Sequence, residues 1–274
     1  MIYSRVAPPA HLRRHIEAFS YWEDDAQPSD GRVAIMSSRA MSIQIDLHDT
    51  ELRWYDGEAR CHVLNGTTLS GVQTRPFGID AYQRRILRVI FRPGGAYPFF
   101  GPSAAAFRDT AVSLEDIWGA EAERLQQRLV QAATHADMFR ILSEVLAAAA
   151  PRALENHPAV SLALNEAERR PHGTSVASLA RAADLSSRRF IELFTREVGM
   201  TPKLYLRMVR FERLLRDIFP HASVDWAETA ADYGYYDQSH LIRDFHAFAG
   251  MAPSAYLARR GDWHDTARDA PNGA

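Results

Sequence analysis

The chain has a single cysteine, Cys61, among 274 residues, which excludes an internal disulfide and any cluster of thiolate metal ligands. Its neighbours read as a strand, so Cys61 is expected to be a small, half-buried strand residue. Long apolar runs are also missing. Arg, Pro or Gly breaks each one well short of the ~20 residues that span a bilayer, and "MIYSRVAPPAHLRRH" has no signal-peptide apolar core. No membrane partner is expected, and a cytoplasmic location follows. Charge of one sign is lacking as well: 32 Lys and Arg face 34 Asp and Glu, for a net charge of -2. A nucleic-acid partner would therefore have to meet a local basic face rather than a basic chain. His48 and His62 flank a turn region without a His-x-His motif or an adjacent carboxylate, so neither a metal nor a cofactor is expected.

What is present is ordinary globular material, 46% apolar and 24% charged, at a length that suits two domains. Up to about residue 110 strands dominate. "MSIQIDLH", "ELRWYD", "ARCHVLNGTTLSG" and "RRILRVIFRP" are short, rich in β-branched and aromatic residues, and punctuated by Asp-Gly, Asn-Gly and Pro. Strands without long intervening helices favour a barrel or sandwich. Leu12, Ile16 and Phe19 have helical spacing, which predicts a helix over Leu12–Trp22. Trp54, Tyr55, Phe91, Tyr97, Phe99 and Phe100 are expected to serve the core more than a pocket. Beyond Phe107, "SLEDIWGAEAERLQQRLVQA" and "ADMFRILSEVLAAAA" repeat helically, with Ser113 and Asp116 as a capping start and Pro151 as a stop. The reading is α+β in two domains: 1–152, a β-barrel with flanking helices, and 156–262, all helical. Residues 263–274 are expected to be a disordered tail.

The helical half contains a repeat. At an offset of 51, Ser178–Leu206 overlays Thr229–Leu257 without a gap, matching Ala180, Ile191, Phe194, Gly199, Met200, Pro202, Tyr205 and Leu206 to identical residues. Each copy reads as a helix with a small inner residue (Ala180 or Ala231), a tight turn, and a second helix capped by Ser186 or Asp237. Gly199 and Gly250 stop the second helices, and Pro202 and Pro253 start the next. Two helices joined by so short a turn make a helix-turn-helix, here at about 174–199 and 225–250. In the second unit Leu241, Phe245 and Phe248 form a buried stripe. Ser239 and His240 are adjacent, so on a helix they point ~100° apart and cannot act as nucleophile and base.

The faces left outward carry Arg188, Ile191, Glu192, Thr195 and Arg196 in the first unit, and Gln238, Ser239, Ile242, Arg243 and His246 in the second. A linker helix over 202–219 joins the units. Leu204, Met208, Phe211, Leu214 and Leu215 are on its apolar side, and Lys203, Arg207, Arg210, Arg213 and Arg216 on the remainder. Those cations are expected either to neutralise phosphates or to form a solvated face.

At these residues the sequence resembles the AraC/XylS family of bacterial transcription regulators. "AADYGYYDQSHLIRDFHAFAGMAPSAY" is similar to that family's signature, with Ala231, Gly234, Tyr235, Asp237, Ser239, His240, Arg243, Phe245, Gly250, Pro253 and Tyr256 in its pattern. The resemblance covers roughly the last hundred residues. It implies double-stranded DNA as partner, with both units in consecutive major grooves, and RNA polymerase as a further partner. Ile191 and Glu192 depart from the polar or basic residues of several members, so base identity does not carry over there. The front half, with "RVIFRPGGAYPFFGPSAAAFRDTAVSLEDIWG", resembles a cupin-like sensor-type domain. It implies a small-molecule effector, a homodimer, or both; no effector residue is identifiable.

Two other functions compete. An enzyme with a DNA-binding tail would need a reactive centre that one cysteine does not supply as a methyl-accepting zinc site. A non-catalytic module that docks on a protein would show duplex binding insensitive to salt.

Overall fold

The computed structural model describes residues 2–23, 32–48, 51–80, 85–101, 103–149, 155–170, 173–221 and 223–259. Pro151, Arg152 and the expected tail at 263–274 lie outside them.

The first half builds two antiparallel sheets from ten strands: β1 (Ile2–Val6), β2 (Ile16–Glu23), β3 (Arg32–Ile35), β4 (Ser42–Asp46), β5 (Glu51–Tyr55), β6 (Cys61–Asn65), β7 (Thr67–Ser70), β8 (Phe77–Asp80), β9 (Arg85–Phe91) and β10 (Ala111–Ser113). One sheet runs β1-β2-β9-β4-β7-β10 and the other β3-β8-β5-β6. The short helices α1 (Tyr97–Phe100) and α2 (Glu115–Trp118) precede α3 (Ala120–Val130) and α4 (His135–Ala149). These cover the larger sheet, with Phe139 stacked on Phe19 and Trp118 on Phe100. The second half is α5 (Pro158–Arg169), α6 (Val176–Ala182), α7 (Ser187–Val198), α8 (Pro202–Ile218), α9 (Trp226–Asp232), α10 (Gln238–Ala249) and α11 (Pro253–Arg259). The buried apolar side chains of both halves form one continuous cluster.

Four local expectations change. Leu12 lies in a turn and Ile16–Glu23 is a strand paired on both sides, with β1 and β9. Phe19, Ser20 and Tyr21 are buried in succession, and a strand buried on both faces loses the alternation that separates it from a helix. Ser113 is not a helix cap: it ends β10 and its Oγ accepts from the Asn65 N–H at 3.1 Å, while the cap position of α2 falls on Leu114 without a side-chain bond. Gly119, at φ 57°, then divides the expected single helix into α2 and α3. Cys61 is exposed, because β6 is the edge strand of its sheet.

The aromatics behave as core. Trp54, Tyr55, Phe91, Phe99 and Phe100 are buried, whereas Tyr97 is half-buried beside the Arg196 guanidinium. His62 does have a carboxylate neighbour: its Nε2 is 3.1 Å from Asp56, which Arg60 also pairs. Among the described residues no group of three metal-ligating side chains occurs, and no helix is long and apolar enough to cross a membrane.

Candidate nucleic-acid interface

Both helix-turn-helix units form as capped helix pairs. In the first, Ser175 and Ser178 bond reciprocally across the first turn of α6 as a capping box. The Leu185 N–H then donates to Ala180 O at 3.0 Å, Asp184 takes a left-handed φ of 52°, and the Ser186 side chain accepts from Arg189 N–H to open α7. In the second, Asp225 caps α9, the Tyr235 N–H donates to Ala230 O at 2.8 Å, Gly234 turns at φ 67°, and Asp237 accepts from His240 N–H at 2.7 Å. Left-handed Gly199 and Gly250 end α7 and α10.

The alignment of the copies needs one correction. From Ser175 to Leu185 the structural partners are 50 residues apart, and from Ser186 onward they are 51 apart. The second turn has gained one residue, Tyr236, which is 92% exposed. Ala230 rather than Ala231 therefore fills the helix crossing, and Ala231 is on the surface.

The packing of the second helices follows the apolar stripes. Phe190, Leu193 and Phe194 in α7 and Leu241, Phe245 and Phe248 in α10 are buried. Outward, Arg188 is the most exposed, at 91% of its side chain, and its Nε sits 3.0 Å from Glu192. Ile191 is 38% exposed, an unusual position for so large an aliphatic group. Thr195 and Arg196 are half-buried, and Arg196 is held by Glu197 at 3.1 Å. In α10, Gln238, Ser239, Arg243 and His246 are exposed and Ile242 is half-buried. The Arg243 Nε donates to Ser239 O at 3.2 Å, which folds that side chain along its own helix.

Sequence reasoning missed two buried acids. Asp244 in α10 has no exposed side-chain surface and meets Arg207 Nη2 at 2.5 Å and Arg210 Nη2 at 3.6 Å from α8. Arg210 also donates to Gly234 O at 3.0 Å and lies 4.1 Å from the Tyr235 ring centre. Arg207 and Arg210 thus fasten the second unit to the linker, whereas Lys203, Arg213 and Arg216 stay exposed. Glu197, 2% exposed, accepts from His157 N–H at 2.8 Å and from Asn156 Nδ2 at 3.3 Å, tying α7 to the start of α5. At the offset of 51 Asp244 overlays buried Leu193, and Glu197 overlays buried Phe248. That correspondence was the available signal, since equivalent positions share burial.

The sheets grip the same helices. Arg39, between β3 and β4, reaches Glu212 at 2.5 Å, Tyr205 OH at 2.7 Å, and Glu168. Burial raises the Glu212 carboxyl pKa against the pull of Arg39, and the surrounding carboxylates hold the Arg39 guanidinium far above its ordinary value. The Ser37 N–H donates to Phe248 O at 2.9 Å, and Asn156 Nδ2 donates to Gly94 O at 3.1 Å. The end of α7 rests on Val72 and Ala104, and the end of α10 on Pro76.

His240 supplies a pH dependence. Burial depresses its pKa below 6.5, and the cations Arg210, Arg243 and Arg207 act in the same direction, against Asp244. A histidine with a folded pKa below its unfolded value stabilises fully above the unfolded value and loses that contribution as pH falls through it. The expected result is a melting temperature that drops between about pH 7 and pH 5.5 less steeply in His240→Gln than in the parent. Equal slopes in thermal melts across that window would remove His240 from the account.

Comparison with known proteins identifies two segments of the chain. Residues 179–259 match the model described as "Helix-turn-helix domain", and residues 4–113 match "Domain of unknown function (DUF6597)". Among curated proteins no relative matches. Similar solved structures include ToxT from Vibrio cholerae, 9% identical over 94% of this chain and 98% of that one, with a TM-score of 0.47. An AraC-type regulator from Chromobacterium violaceum is 20% identical over 38% of this chain and 92% of that one, at 0.34. A DNA-binding transcriptional dual regulator from Escherichia coli K-12 is 22% identical over 41% and 99%, at 0.33. The helices from α6 to α11 are an AraC-type helix-turn-helix domain, and the chain that carries them is a DNA-binding transcription regulator.

Proposed function

We propose that the regulator reads double-stranded DNA with both helix-turn-helix units, α7 in one major groove and α10 in the next, and performs no catalysis. The observation that carries this reading is the pair of second helices fastened to one rod. Helix α8 has 17 residues, or about 26 Å at ~1.5 Å per residue, a rod able to hold one reading helix near each end with the ~34 Å between successive major-groove faces within their combined reach. Arg188, Ile191 and Glu192 would meet bases in the first groove, and Gln238, Ser239, Ile242 and Arg243 in the second. Chemistry pairs Arg with guanine, Gln with adenine, Glu with a cytosine amine and Ile with a thymine methyl. Arg196 and His246, nearer the C-terminal ends, suit the flanking backbone, whereas the Thr195 hydroxyl is buried. Lys203, Arg213 and Arg216 supply the sequence-independent part.

In this reading the domains divide near 152–156, the front domain is cupin-like and controlled by a small effector, and the protein acts in the cytoplasm as a homodimer with RNA polymerase as partner. The expected effect of Arg243→Ala is a loss of about 1–3 kcal/mol on the cognate site, with a smaller loss on random duplex. Titration against both duplexes over a salt series checks this. An affinity indifferent to salt would instead favour a protein-docking module.

A further inference from the structure

Where the larger sheet meets α5 and α8 the protein holds a cavity of about 820 Å³. It lies between the two matched segments and touches the linker that carries the second reading unit. Its wall contains six arginines and three glutamates, with no lysine or aspartate, a formal excess of three positive charges. The acids are already engaged: Glu17 with Arg5 at 2.8 Å, and Glu168 and Glu212 with Arg39. Arg14 pairs with Glu155, which is not part of the wall, at 2.5 Å. Arg5 keeps a buried N–H group, Nη1, that no oxygen among the described residues accepts. A buried guanidinium N–H without an acceptor is costly, and an anion supplied from outside would relieve that cost.

We propose that this cavity binds a compact, hydrophilic dianion and that its occupancy controls the hold of the front domain on α8. The rest of the wall fits such a ligand. Ser37, Ser42, Ser161, Asn156 and Asn165 offer hydroxyl and amide groups for hydroxyls or ester oxygens. The apolar liners, such as Met41, Ile90 and Leu164, are interspersed with these polar groups. That composition disfavours a long hydrocarbon tail.

Control follows from Arg39. It belongs to the wall and also joins the sheets to Glu168 on α5 and Glu212 on α8. A dianion in the cavity competes with those carboxylates for one guanidinium. Binding therefore trades an interdomain ion pair for a ligand contact, and the orientation of α8 responds. The assignment rests on the reading of the chain as an effector-controlled regulator.

The experiment uses the full chain, with malate as a dicarboxylate, glycerol 3-phosphate as a phosphate monoester, oleate as a tailed monoanion, and sodium chloride at matched ionic strength. At least one dianion is expected to raise the melting temperature saturably, with no such rise from chloride or oleate. Arg5→Gln is expected to weaken that response about tenfold or more, in line with a lost charge-assisted bond. Asn165→Trp, which fills the cavity without removing a charge, is expected to abolish it while the unliganded melt is kept. Stabilisation by oleate alone, a response in both variants equal to that of the parent, or none from either dianion would overturn the assignment. Duplex binding is titrated in parallel. Salt-dependent duplex binding by a chain that ignores both dianions would sink only the cavity, whereas absent duplex binding would sink the regulator reading itself.

Discussion

Asp244→Ala is expected to lower the stability of the chain by about 3 kcal/mol and to abolish binding that depends on the second unit. The carboxylate is wholly buried and holds Arg207 and Arg210 of α8. Removing one member of a buried ion cluster leaves the others desolvated without a counter-charge, which typically costs about 3–5 kcal/mol. The low end applies because 36% of the Arg207 side chain still reaches water. Arg210 has less freedom: its ring contact with Tyr235 and its bond to Gly234 O keep it in place beneath the second turn. Thermal melts and duplex titrations of Asp244→Ala and of the Asp244→Leu/Arg207→Met pair decide the matter. The pair should recover much of the loss, since an apolar replacement of both partners leaves less charge stranded. A single variant as stable as the parent would show that the cluster contributes nothing.

The second large effect is expected at Gly199. Its φ of 91° is a left-handed value that strains any side chain, and an added Cβ would lie 2.9 Å from a Val72 methyl and 3.2 Å from the Ala104 carbonyl. A carbonyl in the backbone cannot rotate away, so Gly199→Val combines backbone strain with overpacking, about 3 kcal/mol together. For a chain of this size that is a fall of roughly 6–12 °C in melting temperature. Gly119 gives the internal control: its φ is also positive, at 57°, though at ψ -139° its conformation differs from that of Gly199, and nothing lies within 4 Å of its added Cβ. Gly119→Ala should therefore cost only about 1–2 kcal/mol. Equal losses at both positions in the same melts would mean that the contact between α7 and the sheets is not tight.

The contrast between the two halves explains what the sequence disclosed. In the helical half each boundary has its own chemical mark: Ser175, Ser186, Asp225 and Asp237 cap, Gly199 and Gly250 stop, and Pro202 and Pro253 restart. Such marks act within a few residues, so one chain suffices to read them. The β2 strand is different, because its conformation is decided by pairing with β9 some seventy residues away, and its local apolar spacing points to a helix. The missed acids are a third case. Asp244 and Glu197 look like surface residues until their partners on α8 and α5 are known. The extra residue in the second turn leaves little trace in the sequence, because seven of the eight identities lie beyond it and an ungapped overlay already matches them.

The second turn, longer by Tyr236, makes the two units unequal. Under the proposed reading the two heads are not interchangeable: Arg188, Ile191 and Glu192 stand in one where Gln238, Ser239, Ile242 and Arg243 stand in the other, and the second is reached through the longer turn. On that reading, a duplex whose two half-sites were exchanged, with the same interval, would present each head with the other's bases. On the same reading, the protein lies along its operator in one orientation.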